Sequence, residues 1–213
     1  MSLTTKTPLG NDIVVPNKLL EDAILQEWQG QGDTKSLKRE NMPLSQIASI
    51  KIDLVQNKRA ELINDIISYS DTDSICYRAG DIEELFIRQE LVLGPIIAWA
   101  NRFFSISLII TSGIMPIIQH PHNKIKFAEQ LAGYDDWKLA VFASIIKQVG
   151  SIVLVFAFIE GAIDAEQLFA YSHLEEEYQD QKWGKDEEKD AKLEQARKEI
   201  LAAEKFLRLL LQS

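Results

Sequence analysis

The chain has 213 residues, 46% of them hydrophobic, and a formal net charge of −9 at pH 7. Length and apolar content suffice for one substantial core, which excludes a disordered tail. The carboxylate excess argues against nucleic acid or an anionic membrane as the main partner, because both demand a basic footprint.

Residues 1–16 contain Gly10-Asn11 and the β-branched run Ile13-Val14-Val15, which predict a turn and a short strand. A lone strand leaves its backbone edge unpaired, so this piece needs the remainder of the chain. Asn17 is placed to cap a helix whose apolar positions Leu19, Leu20, Ala23, Ile24 and Trp28 recur at helical spacing, with Gly30 and Gly32 at its end. A polar link from Asp33 to Met42 is expected to run over the surface. Ser45 opens a second helical stretch, and Ala60, Leu62, Ile63, Ile66 and Ile67 mark the apolar side of a third. Gly80-Asp81 begins another, through Leu85, Phe86, Leu93, Ile97 and Phe104. Gly94-Pro95 is expected to interrupt or bend it, since Pro removes a backbone donor. From Ser105 to Gln119, the triplet Leu108-Ile109-Ile110 and the quartet Met115-Pro116-Ile117-Ile118 flank Ser112-Gly113, the pattern of a small hairpin or of two extended connectors.

Helical patterns follow over Asn123 to Leu131, Asp135 to Gln148 and Asp164 to Trp183. The most apolar window, Val149 to Ile159, is bracketed by Lys147 and Glu160 and falls well short of the roughly 20 residues of a membrane span. It reads as a buried element, and its period alone does not separate strand from helix. Ser151 suits an N-cap. In the final helix Leu193, Ala196, Ile200, Ala203, Leu207 and Leu210 form a narrow seam suited to one neighbouring helix. The expected fold class is α+β, mostly α: a small β portion in 1–16, then a mainly helical domain over 17–213 with a short hairpin near 105–119.

Signatures of catalysis are weak. His120-Pro121-His122 offers two imidazoles, but no third ligand recurs at a metal-site spacing, and Pro121 suits a surface turn. His173 lies beside Glu175, Glu176 and Glu177, yet no Glu stands three residues before a His as a di-iron bundle requires. Asp71, Asp73 and Asp135-Asp136 could supply paired carboxylates for hydrolysis, but Asp71, Asp73 and Asp136 sit where helices are expected to begin, and capping explains them better. Gly30-Gln31-Gly32 lacks the third glycine of a dinucleotide loop, and neither a phosphate-binding loop nor a Gly-x-Ser-x-Gly turn occurs. Cys76, the single cysteine, precludes an internal disulfide and reads as a small buried residue. No catalytic residue, metal or cofactor is assigned. Of the four tryptophans, Trp28, Trp99 and Trp137 belong to helical patterns and are expected to anchor packing.

The run Leu174-Glu175-Glu176-Glu177-Tyr178-Gln179-Asp180-Gln181-Lys182-Trp183-Gly184 stands apart. From Glu175 to Asp190 there are eight acidic residues against three lysines, a concentrated field that accelerates encounter with a basic surface. Trp183 is read either as cover for a helix pair or as part of a binding surface.

This run resembles the signature of the F1-ATPase assembly chaperones that bind the alpha subunit of ATP synthase. Further blocks agree in order: Lys6-Thr7-Pro8-Leu9-Gly10-Asn11, Glu27-Trp28-Gln29-Gly30-Gln31, Asn41-Met42-Pro43-Leu44-Ser45, Tyr69 to Ala79, Gly113-Ile114-Met115-Pro116 and Gly150-Ser151. The resemblance implies a non-enzymatic chaperone that holds the F1 alpha subunit until it pairs with beta. It implies a central helix beginning at Gly150-Ser151, and a partner site at Glu175, with Glu176, Glu177 and Trp183 beside it. It also implies further β-strands ahead of Lys6, which makes residues 1–16 a remnant of a small β domain. No organelle-targeting run is visible, so a bacterial cytoplasm is expected, whereas eukaryotic relatives would reside in the mitochondrial matrix. The alternative is a helical adaptor that binds a different protein through the same acidic face.

Overall fold

The computed structural model describes residues 5–31, 38–112, 115–184 and 186–212. Gly32, the first half of the link from Asp33 to Met42 (33–37), and Gly113-Ile114 lie outside the described residues. The chain is mostly α, as the pattern predicts, but the two-stranded sheet pairs residues 77–78 with 111–112, and the strand expected at Ile13-Val14-Val15 is not formed, an isolated bridge being the only β structure in residues 5–16.

At the centre is α7 (Ile152–Ile159), in which all eight side chains are apolar and buried. The apolar window is therefore a helix, and Ser151 caps it, its hydroxyl accepting from Leu154 N–H at 3.0 Å. Around it pack α4 (Glu83–Phe104), α6 (Asp136–Val149) and α8 (Ala165–Ser172). Phe156 collects the aromatic core: Phe104 of α4 at 4.8 Å, Phe142 of α6 at 4.9 Å and Phe127 of α5 (Pro121–Gly133) at 5.5 Å between ring centroids. Gly150, at φ +67°, gives the left-handed residue that lets α6 stop and α7 leave at once.

The N-terminus of α7 is fastened by a carboxylate from far upstream. Asp73, only 3% exposed, accepts from Val153 N–H (3.1 Å) and Ile75 N–H (3.2 Å), while Ser74 N–H donates to the Gly150 carbonyl. Burial pushes the Asp73 carboxyl up to about 6, against the opposing pull of those donors.

A second layer runs through α1 (Lys18–Gln29), α2 (Pro43–Ser49) and α3 (Gln56–Ser68), with a π-helical turn, Ile50–Val55, between the last two. Asn17 caps α1 as expected, accepting from Leu20 N–H at 2.9 Å. Ser45 does not open α2, which starts two residues earlier at Pro43. Its cap comes from α1: Glu27 accepts from Leu44 N–H (2.8 Å), Ser45 N–H (2.9 Å) and the Ser45 hydroxyl (2.7 Å). Ahead of α1, Lys6 and Asp12 form an antiparallel bridge, and Asp53 of the π turn holds the intervening loop through Thr7, Leu9 and Asn11.

Four readings change in detail. The helix through Gly94-Pro95 is continuous over the whole of α4. Asp135, not Asp136, caps α6, and Asp136 instead pairs with Arg59 at 2.6 Å. The segment 165–183 is two helices, α8 and α9 (Leu174–Trp183), because Ser172 and His173 turn their side chains back onto the Phe169 carbonyl and His173 leaves the helical region. The seam of α10 (Glu187–Leu210) is met by α6, α8, α2 and α1 rather than by one helix, with Phe206 buried beside it. Within 105–119, β2 (Thr111–Ser112) pairs in parallel with β1 (Tyr77–Arg78), and Gln119 brackets Ile109 through both its N–H and its carbonyl.

Replacing Asp73 with Asn removes one of two acceptors at a buried helix start, and is expected to cost roughly 1–3 kcal/mol at pH 7. The pH signature has a definite sign. A folded value raised from 3.8 to about 6 means the native state binds the proton more tightly. That contribution is fully present below pH 3.8 and is lost as pH rises through 6, up to roughly 3 kcal/mol. Urea unfolding between pH 4 and 7 should show this fall in the native chain and not in Asp73→Asn.

Candidate functional site

The acidic run folds as α9, held between two helices. Leu174 and Tyr178 face inward, the latter only 5% exposed, and the Tyr178 hydroxyl donates to Glu84 at 3.2 Å. Lys182 reaches the same Glu84 at 2.7 Å, and Arg88 bonds Glu177 at 2.7 Å and Gln181 at 3.1 Å. Thus α4 clamps one side. On the other, Lys189 of α10 bonds Asp180 at 2.6 Å and the Glu176 carbonyl at 3.2 Å. Lys182 holds the Glu84 carboxyl below its usual range, and Glu84 raises the Lys182 ammonium in return.

This arrangement separates the three glutamates. Glu177 is turned to α4 and neutralised by Arg88. Glu176 is half-buried on the α10 side. Glu175 is exposed, and its only hydrogen-bond partner among the described residues is the Gln179 amide at 3.3 Å. Helical spacing aligns Glu175, Gln179 and Trp183 on one face. Trp183, 72% exposed, leaves its indole in solvent rather than over the helix pair. Gly184 follows at φ +89° and turns the chain away.

A cleft of about 800 Å³ opens between α8, α9 and α10, lined by Phe169, His173, Glu177, Asp190, Leu193 and Glu194 among others. Its ion pairs, Arg197 with Glu166 and Lys189 with Asp180, leave the carboxylates in excess. His120 and His122 are exposed at the start of α5. Among the described residues no group of three His, Cys, Asp or Glu is arranged to hold a metal, and no helix is long and apolar enough to cross a membrane. Cys76 is buried, and burial pushes its thiol well above the usual value, so it is inert.

Over 96% of its length the chain superposes on the crystal structure of Atp12 from Paracoccus denitrificans, at a TM-score of 0.85 and 30% identity, covering 87% of that protein. An Asp→Lys mutant of the same Paracoccus protein matches equally well. The chain belongs to the ATP12 chaperone family. The model of that family, described as ATP12 chaperone protein, matches residues 2–101. A protein from Agrobacterium tumefaciens also superposes at a TM-score of 0.85, with 29% identity over 95% of this chain and 75% of its own. The mitochondrial atp12 protein of Schizosaccharomyces pombe is 28% identical over 192 residues, 84% of this chain, and the chain spans 65% of its length.

Most blocks that carry the ATP12 resemblance are joints of the scaffold. Glu27 and Trp28 meet Ser45, with the Trp28 Nε1–H donating to the Ser45 hydroxyl at 3.1 Å. Asp73 and Ser74 meet the segment Gly150–Val153. The acidic run differs, because Glu175 and Trp183, on its outer face, make no hydrogen bond or ion pair to another element among the described residues. What the sequence does not reveal is the role of Glu84 and Arg88, whose partners lie some 90 positions away. Truncating Tyr178 to Ala should loosen α9 by roughly 3 kcal/mol, seen as faster amide exchange across Leu174–Trp183 with the rest of the chain unaffected.

Proposed function

We propose that this protein is an assembly chaperone for the F1 sector of ATP synthase that holds the alpha subunit before it pairs with beta. The single observation that carries the reading is the likeness to the Paracoccus denitrificans Atp12 structure over nearly the whole chain. The acidic, exposed face of α9 supports it. The protein acts by binding alone, in the compartment where F1 is assembled, which for a bacterial member is the cytoplasm. An unpaired subunit of an obligate complex exposes a large apolar interface, and covering it lowers the concentration of the aggregation-prone species by mass action.

Within this reading Glu175 is the principal contact, with Glu176, Glu177 and Trp183 beside it. Glu175 is exposed and makes no ion pair among the described residues, so its charge is available to a basic surface. Glu177 contributes less, being offset by Arg88.

The test is dilution of denatured F1 alpha subunit into buffer with and without this protein, followed by light scattering, with beta and an unrelated aggregating protein as controls. Suppression confined to alpha at near-stoichiometric ratio is the expected result. Equal suppression of all three, or of none, overturns the reading in favour of a helical adaptor for another protein. Glu175→Lys should abolish protection while changing stability by less than about 0.5 kcal/mol, because the site is exposed and braces nothing.

A further inference from the structure

We infer that the solvent face of α4 is the apolar half of the docking surface, and that it receives a segment of the client in which apolar side chains alternate with Lys or Arg. This rests on the client reading above and adds a location and a chemistry to it. Ile87, Leu91, Pro95 and Ala98 succeed one another at steps of four, four and three, so they lie along one side of α4 over roughly 16 Å. All four are exposed, Ile87 at 50% and Leu91 at 73%. Phe103, also exposed, stacks on Trp99 at 5.0 Å toward the far end. A contiguous apolar stripe on a helix otherwise seated in the core is a feature of interaction surfaces.

A second observation is independent of the first. Pro95 sits inside α4 and has no N–H, so the Leu91 carbonyl lacks its α-helical donor. A carbonyl without its helical donor therefore lies beside the exposed leucine of the stripe. Neither Gly94 nor Pro95 is favoured in a helix interior, and a helix that served packing alone would do better with Ala at both.

The border of the stripe selects the occupant. Its N-terminal half is rimmed by Glu83, Glu84 and Glu90 of α4 and, across the Arg88–Glu177 contact, by α9. Arg88, Lys182 and Arg78 are engaged by Glu177, Glu84 and Glu90, which leaves Glu83, Glu175 and Glu176 without an ion pair among the described residues. Free carboxylates and a free carbonyl are all acceptors, so the complementary segment brings donors. Arg102, one turn past Ala98, is the cation at the opposite end. A second copy of this chain is a poorer occupant, since each copy carries a net charge of −9.

The experiment measures binding of refolded F1 alpha subunit to the native chain and to Ile87→Asp, Leu91→Asp, Pro95→Ala and Glu175→Lys, with thermal unfolding and sedimentation of each. Ile87→Asp and Leu91→Asp should each weaken binding at least about tenfold at unchanged Tm, since they remove apolar contact from an exposed site. Pro95→Ala separates a docking role from a structural one. It should raise Tm by restoring the helical hydrogen bond, and weaken binding by about fivefold by occupying the Leu91 carbonyl. Native binding left intact by all three α4 variants, with Glu175→Lys still defective, overturns the α4 surface and leaves the client reading standing. If the native chain binds no alpha subunit, the client reading fails and this inference fails with it. Self-association of the native chain that Leu91→Asp abolishes, at unchanged alpha binding, assigns the stripe to a second copy and overturns it too.

Discussion

A helix whose eight residues are all apolar has no face that water can accept, and the covering of α7 is the constraint on which the rest of the structure depends. The apolar sides of α4, α6 and α8, and Phe127 of α5, lie against it, and the turn at Tyr69–Asp71 meets it as well. Covering the sides leaves the first N–H groups to be satisfied, and these point into the same dry interior. Ser151 takes one and Asp73 another. A neutral residue would have been cheaper to bury than Asp73, but a carboxylate gives two acceptor oxygens at a helix start whose dipole favours negative charge. The buried acid thus follows from the decision to put an all-apolar helix in the middle.

The same logic explains how much of the fold was legible in the sequence. Caps that act within three residues are readable at Asn17 and Ser151, and at α6 to within one position, where Asp135 rather than Asp136 is the cap. Caps supplied from a distance are not. Glu27 ends one helix and starts another 17 positions on, and Asp73 acts across 80 positions, so no window of helical length contains both partners. Ser45 reads as the start of a helix, whereas here the helix starts at Pro43 and the Ser45 N–H and hydroxyl donate to Glu27. The break at His173 was hidden for a related reason. Ser and His are tolerated in helices, and only their side chains turning onto the Phe169 carbonyl ends this one.

At the surface, composition marks the candidate face and geometry divides it. The density of carboxylates after Leu174 marks α9, whereas the run leaves two places open to Trp183 and only the structure puts its indole in solvent. Nothing in the run itself distinguishes Glu175 from Glu177. That difference is made by Arg88 on another helix, which neutralises one and leaves the other open to solvent. Ion pairs this exposed contribute little to stability. Their consequence is orientation: they fix which carboxylates face α4 and which face outward.

On the proposed reading, a chaperone that must later yield its client to another subunit is served by a contact that is broad, wet and only partly apolar, because release has to remain fast. An apolar helix face bordered by carboxylates has that character, with charge setting the encounter and a short stripe limiting the lifetime. The same face is poor for the stability of the free protein, since it exposes leucine and isoleucine and carries Gly94-Pro95 within a helix. Such a defect persists only where the remainder of the fold tolerates it. In this chain α4 is anchored from beneath, with Leu93, Ile97, Ala100 and Phe104 buried on the opposite side and Phe104 against Phe156. The buried side of α4 secures the helix through its proline, and so leaves the outer side free to be shaped by a partner rather than by folding.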